Sequence, residues 1–277
     1  MSMDDQHDSL LQIAAVAAGA ALTAASTQAL AQTKSPATEA QAFGKMPPWE
    51  LIYHLDFYIG EGKLQQWENY WGGTQVPTLE KRTGQALWAG WSSLSGRENM
   101  LTHNWAYRDL AHYQSAFSVR REPGVMGDMR NGAESPPILG SVTTTVMEKL
   151  SYHPTVSYPD MPQKKTGIIA THRITTSNSA TGAGPKEKDH ANIMVEFIQA
   201  AAKHGALLVG GFRSWTGLQL PTYQLQVWRY DDMKQYWNAR AAIEADPECR
   251  KMLAAMRGIF PQEIIELNRP LSYSRLR

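Results

Sequence analysis

The chain has a single cysteine, Cys249, among its 277 residues. An intrachain disulfide and a thiolate metal cluster are thereby excluded, and the lone thiol reads as a small packed hydrophobe. An excess of one charge is also lacking, since 27 Lys and Arg face 26 Asp and Glu. The bases are scattered rather than gathered into a stripe, so no nucleic-acid partner is expected. There is no phosphate-cradling glycine loop and no dinucleotide fingerprint. "GWSSL" lacks the second glycine of a nucleophile elbow. No apolar run is hydrophobic enough to make a good transmembrane helix, so no stable membrane insertion is expected.

Basic residues are missing altogether from the first 31 positions. The run "SLLQIAAVAAGAALTAAS" followed by Ala29-Leu30-Ala31 has the layout of an export signal with a small-x-small cleavage site. Gln6-His7 stand where a twin-arginine signal would carry its two arginines. Residues 1–31 are therefore read as an export signal cleaved near Ala31, which places the mature chain in the periplasm or outside the cell. If the arginine-less signal is inactive, the chain stays in the cytoplasm. Residues 32–47 are a polar, flexible lead-in.

What is present is 43% apolar residues, with nine Trp and eleven Tyr. That is enough for a sizeable core, and amphipathic rings of this kind line cores and ligand clefts. "ELIYHLDFYI" alternates with period two and predicts a strand; Leu64, Trp67 and Trp71 then share one helical stripe. "ALWAGW" and "MLTHNWAY" are the next strands, a helix begins near Asp109, and "GSVTTTVMEKL" is a β-branched fourth strand. From residue 161 the pattern returns as "GIIATHRIT", the helix "ANIMVEFIQAAAKHG", "ALLVGGF", "YQLQVWRY", a helix from Asp232, and "EIIEL". Trp105, Tyr107, Asp109 and Tyr113 recur as Trp228, Tyr230, Asp232 and Tyr236, each 123 positions later. The expected fold class is α+β: two tandem β-α-β-β-α-β, ferredoxin-like units, residues 48–160 and 161–277, forming an intramolecular α/β barrel. One difference stands between the units. The first has a tight Gly60-Glu61-Gly62, whereas the second has a Ser/Gly/Ala/Pro-rich segment, Thr176–His190, expected to be a surface loop.

Asp109 and Asp232 sit at strand-to-helix boundaries and are expected to cap helices. On the strands, the more apolar set should face the helices, leaving the other set on the open face. That open face would carry His54, Asp56 and Tyr58 on the first strand, His103, Trp105 and Tyr107 on the third, and Thr171, Arg173, Gln226, Trp228 and Tyr230 in the second unit. If the two open faces pack together, they line a semi-polar interior suited to a small aromatic or apolar ligand.

"ALWAGWSSLSGRENMLTHNWAYRDLAHYQ" and its second-unit counterpart resemble the NIPSNAP family, through Gly90, Gly96, Trp105, Tyr107 and Asp109, then Gly210, Gly217, Trp228, Tyr230, Asp232, Arg240, Asp246 and Pro247. The resemblance implies the dimeric α/β-barrel fold with both halves supplied by one chain. The first strand departs from the family pattern, with Leu55 and Phe57 in place of an Arg-x-Tyr pair. Relatives in the wider superfamily include cofactor-free monooxygenases, small isomerases and haem-handling enzymes. By that analogy His103 would be a catalytic base supported by His54 or Asp56, between the walls Trp105 and Trp228. No cofactor and no metal site are expected, with haem or a metal left open. The leading expectation is a ligand-binding protein; an enzyme of the superfamily type and a protein-interaction module are the alternatives. A homodimer is compatible with each.

Overall fold

The structure is a computed structural model, describing residues 49–95, 97, 99–122, 125, 143–154, 166–176, 185–217 and 223–276. The expected signal, the lead-in and part of the Ser/Gly-rich segment lie outside the described residues.

The first half runs β1 (Leu51–Tyr58), α1 (Leu64–Tyr70), a π-helical stretch (Trp71–Gln75), α2 (Val76–Thr83), β2 (Ala86–Ser93), β3 (Met100–Tyr107), α3 (Leu110–Arg120) and β4 (Thr143–Lys149). The second runs β5 (Ile168–Thr175), α4 (Pro185–Lys203), β6 (Leu207–Gly217), β7 (Tyr223–Tyr230), α5 (Met233–Ala245), α6 (Pro247–Ile259) and β8 (Glu263–Pro270). The strands form one closed barrel in the order β1-β3-β2-β8-β5-β7-β6-β4. Every pairing is antiparallel.

Closure happens edge to edge. β2 pairs with β8 through Ser92↔Arg269, and β4 pairs with β6 through Glu148↔Arg213. Each half therefore contributes four strands in a matching order, β4-β1-β3-β2 and β8-β5-β7-β6. Joining the edges leaves no strand with an unpaired row of backbone groups. An eight-stranded barrel has an interior narrow enough for side chains to fill. The expected intramolecular barrel with helices outside is thus present, closed by edge pairing of the two halves into one continuous sheet.

The same closure reverses which strand face is which. Ile52, His54 and Asp56 point into the barrel, as expected, and in-register pairing places Ala106, Asn104 and Thr102 beside them. His103, Trp105 and Tyr107 consequently face outward, toward the helices. In the second half Thr171 and Arg173 point inward with Leu225 and Val227, while Gln226, Trp228 and Tyr230 face the helices. All eight residues of β3 and of β7 are buried. With both faces covered, a polar-versus-apolar contrast no longer tells inside from outside. The barrel interior is itself a core, taking Leu225 and Val227 together with Trp91, Phe212 and Tyr223.

Both halves start their post-β3 or post-β7 helix on a capping aspartate, as the sequence indicates. Asp109 accepts from the His112 N–H and Asp232 from the Gln235 N–H, each at 2.7 Å. Each cap satisfies one donor that the first helical turn leaves orphaned. Two helical features depart from expectation. α4 begins at Pro185, so residues 186–190 are helical rather than loop. α6 was not anticipated; Asp246 caps it and Pro247 occupies its first turn.

Candidate ligand pocket

Three places in this fold concentrate polar or aromatic side chains. The first is the barrel interior. Asp56 there accepts from Thr102 Oγ1 at 2.6 Å and from the guanidinium groups of Arg173 at 2.8 Å and Arg97 at 3.2 Å. Arg97 also meets Glu266 at 3.0 Å. His54 Nδ1 lies 2.8 Å from Asn104 Oδ1, and its Nε2 lies 3.3 Å from Asp56. Burial would raise the Asp56 carboxyl, but neighbouring His54, Arg173 and Arg97 hold it well below the usual carboxylate range. Two cations and two anions thus pair with one another, although Arg173 Nε is left buried without a hydrogen-bond partner, and the network ties β1 of one half to β5 and β8 of the other. These groups are engaged with one another, so the arrangement is structural. Tyr58, on the same side of β1, is half-buried at the strand end.

The second place is the space between the first-half sheet and its helices, where His103 lies. His103 Nε2 is 2.6 Å from the Tyr273 hydroxyl, and Phe57, Trp71 and Trp105 surround the ring. Trp67 and Trp71 stack with centroids 6.0 Å apart and fill the remaining volume. Burial pushes the His103 ring down to about 3, so it is neutral at ordinary pH. Tyr273 belongs to the tail after β8, which crosses from the second half to clasp the first; Arg275 holds Glu80 at 2.9 Å, and the Ser274 hydroxyl accepts from Gly90 N–H at 3.0 Å. The role expected for His103 is therefore corrected twice. His54 and Asp56 lie on the opposite face of the sheet and cannot support it or share a metal with it. The ring itself is packed rather than open. Trp105 and Tyr107 are likewise engaged: Arg120 lies 5.2 Å from the Trp105 ring, and its guanidinium and the Tyr107 hydroxyl both donate to Gln85.

The third place is the corresponding space in the second half, and it is not filled. A cavity of about 60 Å³ lies between β5, β7 and β8 on one side and α4, α5 and α6 on the other. Met194, Phe197 and Ala201 come from one face of α4 at three- and four-residue spacing, and Ile243, Leu253, Met256 and Phe260 supply the opposite wall. Trp228 forms the floor, its ring 6.0 Å from Phe197. Gln226 also lines it but is satisfied internally, accepting from Trp228 Nε1 at 3.1 Å.

Six histidine, arginine and glutamate side chains interrupt this apolar lining. His172 Nδ1 lies 2.7 Å from Glu263 Oε1, across the β5–β8 pair. Burial opposes ionisation of Glu263, but the hydrogen bond and charge of His172, with Arg257 and Arg240 nearby, hold its carboxyl below the ordinary value. A carboxylate can only accept, so Nδ1 carries a hydrogen, and Nε2 has a lone pair in the neutral form of the ring. Nε2 is buried without a protein partner, and so is Nδ1 of His190. Burial lowers the His190 ring to about 4. Arg240, Glu244 and Arg257 complete the lining.

Sequence reasoning placed none of His172, His190 and Glu263 in a site. His190 was assigned to a loop, and His172 and Glu263 are 91 positions apart, brought together only by the β5–β8 pairing. Arg173, Gln226, Trp228 and Tyr230 were singled out. Of these, Gln226, Trp228 and Tyr230 line the pocket, from the helix side rather than the barrel interior.

A separate group, His204, Asp246 and Cys249, brings its donor atoms within 4.8 Å of one another. The donor types suit zinc. Asp246 is already occupied, however, with Oδ1 capping α6 and Oδ2 2.9 Å from His204. No helix among the described residues is long and apolar enough to cross a membrane.

The Trp105-Tyr107-Asp109 strand-and-cap unit, now seen in place, falls within the one stretch that a family model matches. Residues 54–152 match the NIPSNAP family. The NIPSNAP match thus covers the filled half, and the pocket lies beyond it. No curated protein matches the chain. Among solved structures, an anthrone oxidase-like protein shares 8% identity at TM-score 0.52, over 82% of this chain and 93% of its own. A candidate monooxygenase from Lactobacillus acidophilus NCFM shares 6% at TM-score 0.51, over 80% and 94%. A NIPSNAP domain protein from Burkholderia xenovorans shares 17% at TM-score 0.33, over 38% of this chain and 98% of its own. At such identities the first two likenesses concern the fold alone.

Proposed function

We propose that the chain binds a small, largely apolar or aromatic molecule in the pocket between the second-half sheet and α4–α6. The observation that carries this reading is the unfilled pocket itself, apolar in its walls and supplied with two buried ring nitrogens that have no protein partner. A buried polar atom left unsatisfied costs roughly 1–3 kcal/mol, and a ligand hydroxyl, which can donate or accept, would relieve that cost. The ligand site therefore lies outside the barrel, on the helix side of β5 and β7.

The fold reading goes with it. The two halves, 48–160 and 161–277, are tandem ferredoxin-like repeats, supported by the matched strand orders and the matched aspartate caps. Residues 1–31 serve as an export signal, a reading that rests on their composition and is checked by N-terminal sequencing of the mature protein.

Mass spectrometry of small molecules released from the natively purified protein tests the ligand reading. Ala201 lies in the pocket wall, so Ala201→Phe should fill the space while keeping the cooperative melt. An aromatic or apolar compound that accompanies the wild type and is missing from Ala201→Phe is the expected result. The same compound accompanying both, or neither protein carrying one, counts against the site.

A further inference from the structure

The two histidines of the pocket are not equivalent. His190 on α4 packs its ring against Phe260 at 5.3 Å, is 2% exposed, and has no carboxylate within hydrogen-bonding distance among the described residues. His172 is the one with a built-in orienting group. Glu263 fixes its Nδ1 hydrogen, leaving the Nε2 lone pair on the buried side, next to the Trp228 ring at 6.1 Å. A ring held by a carboxylate at the lining of an apolar cavity, with its second nitrogen unpartnered, is an arrangement suited to general-base chemistry. Arg240 and Arg257 stand at the same lining and would offset a negative charge formed there.

We propose that the pocket takes an aromatic compound bearing an acidic hydroxyl and removes its proton: His172 Nε2 is the base and Glu263 the positioning residue. The inference rests on the ligand reading of the same pocket and adds to it the substrate class and the first chemical step. The balance is simple. The O–H bond of the ligand breaks, its electron pair stays on oxygen, and the proton forms a new N–H bond at Nε2. The imidazolium then lies between the ligand oxyanion and the Glu263 carboxylate. No oxidant or reductant is required, and the net charge of the pocket with its ligand is unchanged. The ionisable and charged groups facing His172 are Glu263 on β8, His190 on α4, Arg240 and Glu244 on α5, and Arg257 on α6. Glu263 accepts from Nδ1 before and after the transfer, and Arg240 and Arg257 favour the oxyanion.

4-Nitrophenol and its methyl ether, 4-nitroanisole, separate this step from binding. The ionised phenol is yellow, so absorbance during a pH titration of the bound probe reads the proton directly, and the ether reports occupancy without an ionisable hydrogen. With the full-length protein, both probes should bind, and bound nitrophenol should ionise about one pH unit lower than free, a tenfold gain in phenolate. His172→Ala should bind the ether as well as the wild type does and lose that shift. Glu263→Gln should do the same to a smaller extent, a loss that a merely structural role would not produce while ether binding is intact. If nitrophenol binds without any shift, or if the shift survives His172→Ala, the base assignment is overturned while the pocket stands. If neither probe binds the wild type, the ligand reading falls and the base assignment with it. Should His172→Ala fail to melt cooperatively, His172→Gln takes its place with the same expected outcome.

Discussion

The two halves of this chain enclose the same kind of space, a layer between four strands and their covering helices, and they treat it in opposite ways. In the first half Trp67, Trp71 and Tyr273 occupy it, and His103 is sealed beneath them. In the second half Trp228 lies under an open pocket. The cross-strand pairs make the contrast local. Leu55 pairs with His103 in the first half, and His172 pairs with Gln226 in the second. The second-half histidine stands on the neighbouring strand, and there it has the carboxylate partner Glu263, whereas His103 meets the Tyr273 hydroxyl. Two copies of one scaffold thus show what the scaffold needs and what it can spare. Caps, strand order and the aromatic strand are kept in both, whereas the filling of the helix–sheet layer differs.

The contrast is broken most directly by removing the filling. Trp67 is fully buried, and Trp67→Ala should cost about 3–5 kcal/mol, from lost apolar burial and an uncollapsed cavity. Leu253→Ala trims a side chain that already borders open space, and should cost on the order of 1–2 kcal/mol, below the usual range for a fully packed leucine. Urea denaturation midpoints measure both. Equal losses would mean that the second-half layer is as tightly packed as the first.

Acid sharpens the same comparison. His103 and His190 are held neutral by burial, at about 3 and about 4. In the unfolded chain a histidine titrates near ~6.5, so between that value and the folded one the unfolded state binds the extra proton. The stability these neutral rings provide is therefore fully present above pH ~6.5 and declines as pH falls toward the folded values. Asp56, depressed instead, keeps its contribution throughout that window and loses it only at lower pH. His103→Gln should flatten the decline between pH ~6.5 and ~4 by on the order of 3 kcal/mol, and His190→Gln by less, because its pocket opens to water. Unfolding free energies measured across that range provide the check. A larger effect from His190 would place the drier environment in the second half.

How far the sequence reveals this contrast depends on the kind of information each feature carries. Strands, caps and duplication are local or periodic, and Trp105/Trp228 and Asp109/Asp232 display them openly. Strand facing is not local. It follows from closure of the barrel, which buries both sides of β3 and β7 and removes the polarity contrast that alternation relies on. His190 was missed because a Ser/Gly/Pro-rich stretch precedes it, although Pro185 is a typical first-turn residue for a helix. The same signal, Asp246 followed by Pro247, announces α6 and went unused except as a family mark. The His172–Glu263 pair had no sequence signal; only the β5–β8 register creates it.

The smallest expected effect on stability belongs to the residue with the most to say about function. His172→Leu gives the second half the side chain that Leu55 supplies to the first. It removes one hydrogen bond between partly exposed side chains, 13% and 26% accessible, and adds apolar surface beside Trp228. Partly exposed ion pairs contribute about 0–1 kcal/mol, and the added apolar contact acts in the opposite direction, so the melting temperature should move by no more than a few degrees either way. Glu263 remains solvent-accessible enough to stay charged without its partner. If the variant instead gains several kcal/mol, His172 is kept against a stability cost, the pattern expected of a group retained for chemistry. If it loses several, the His172–Glu263 pair is part of the framework, and the difference between the halves is one of packing alone.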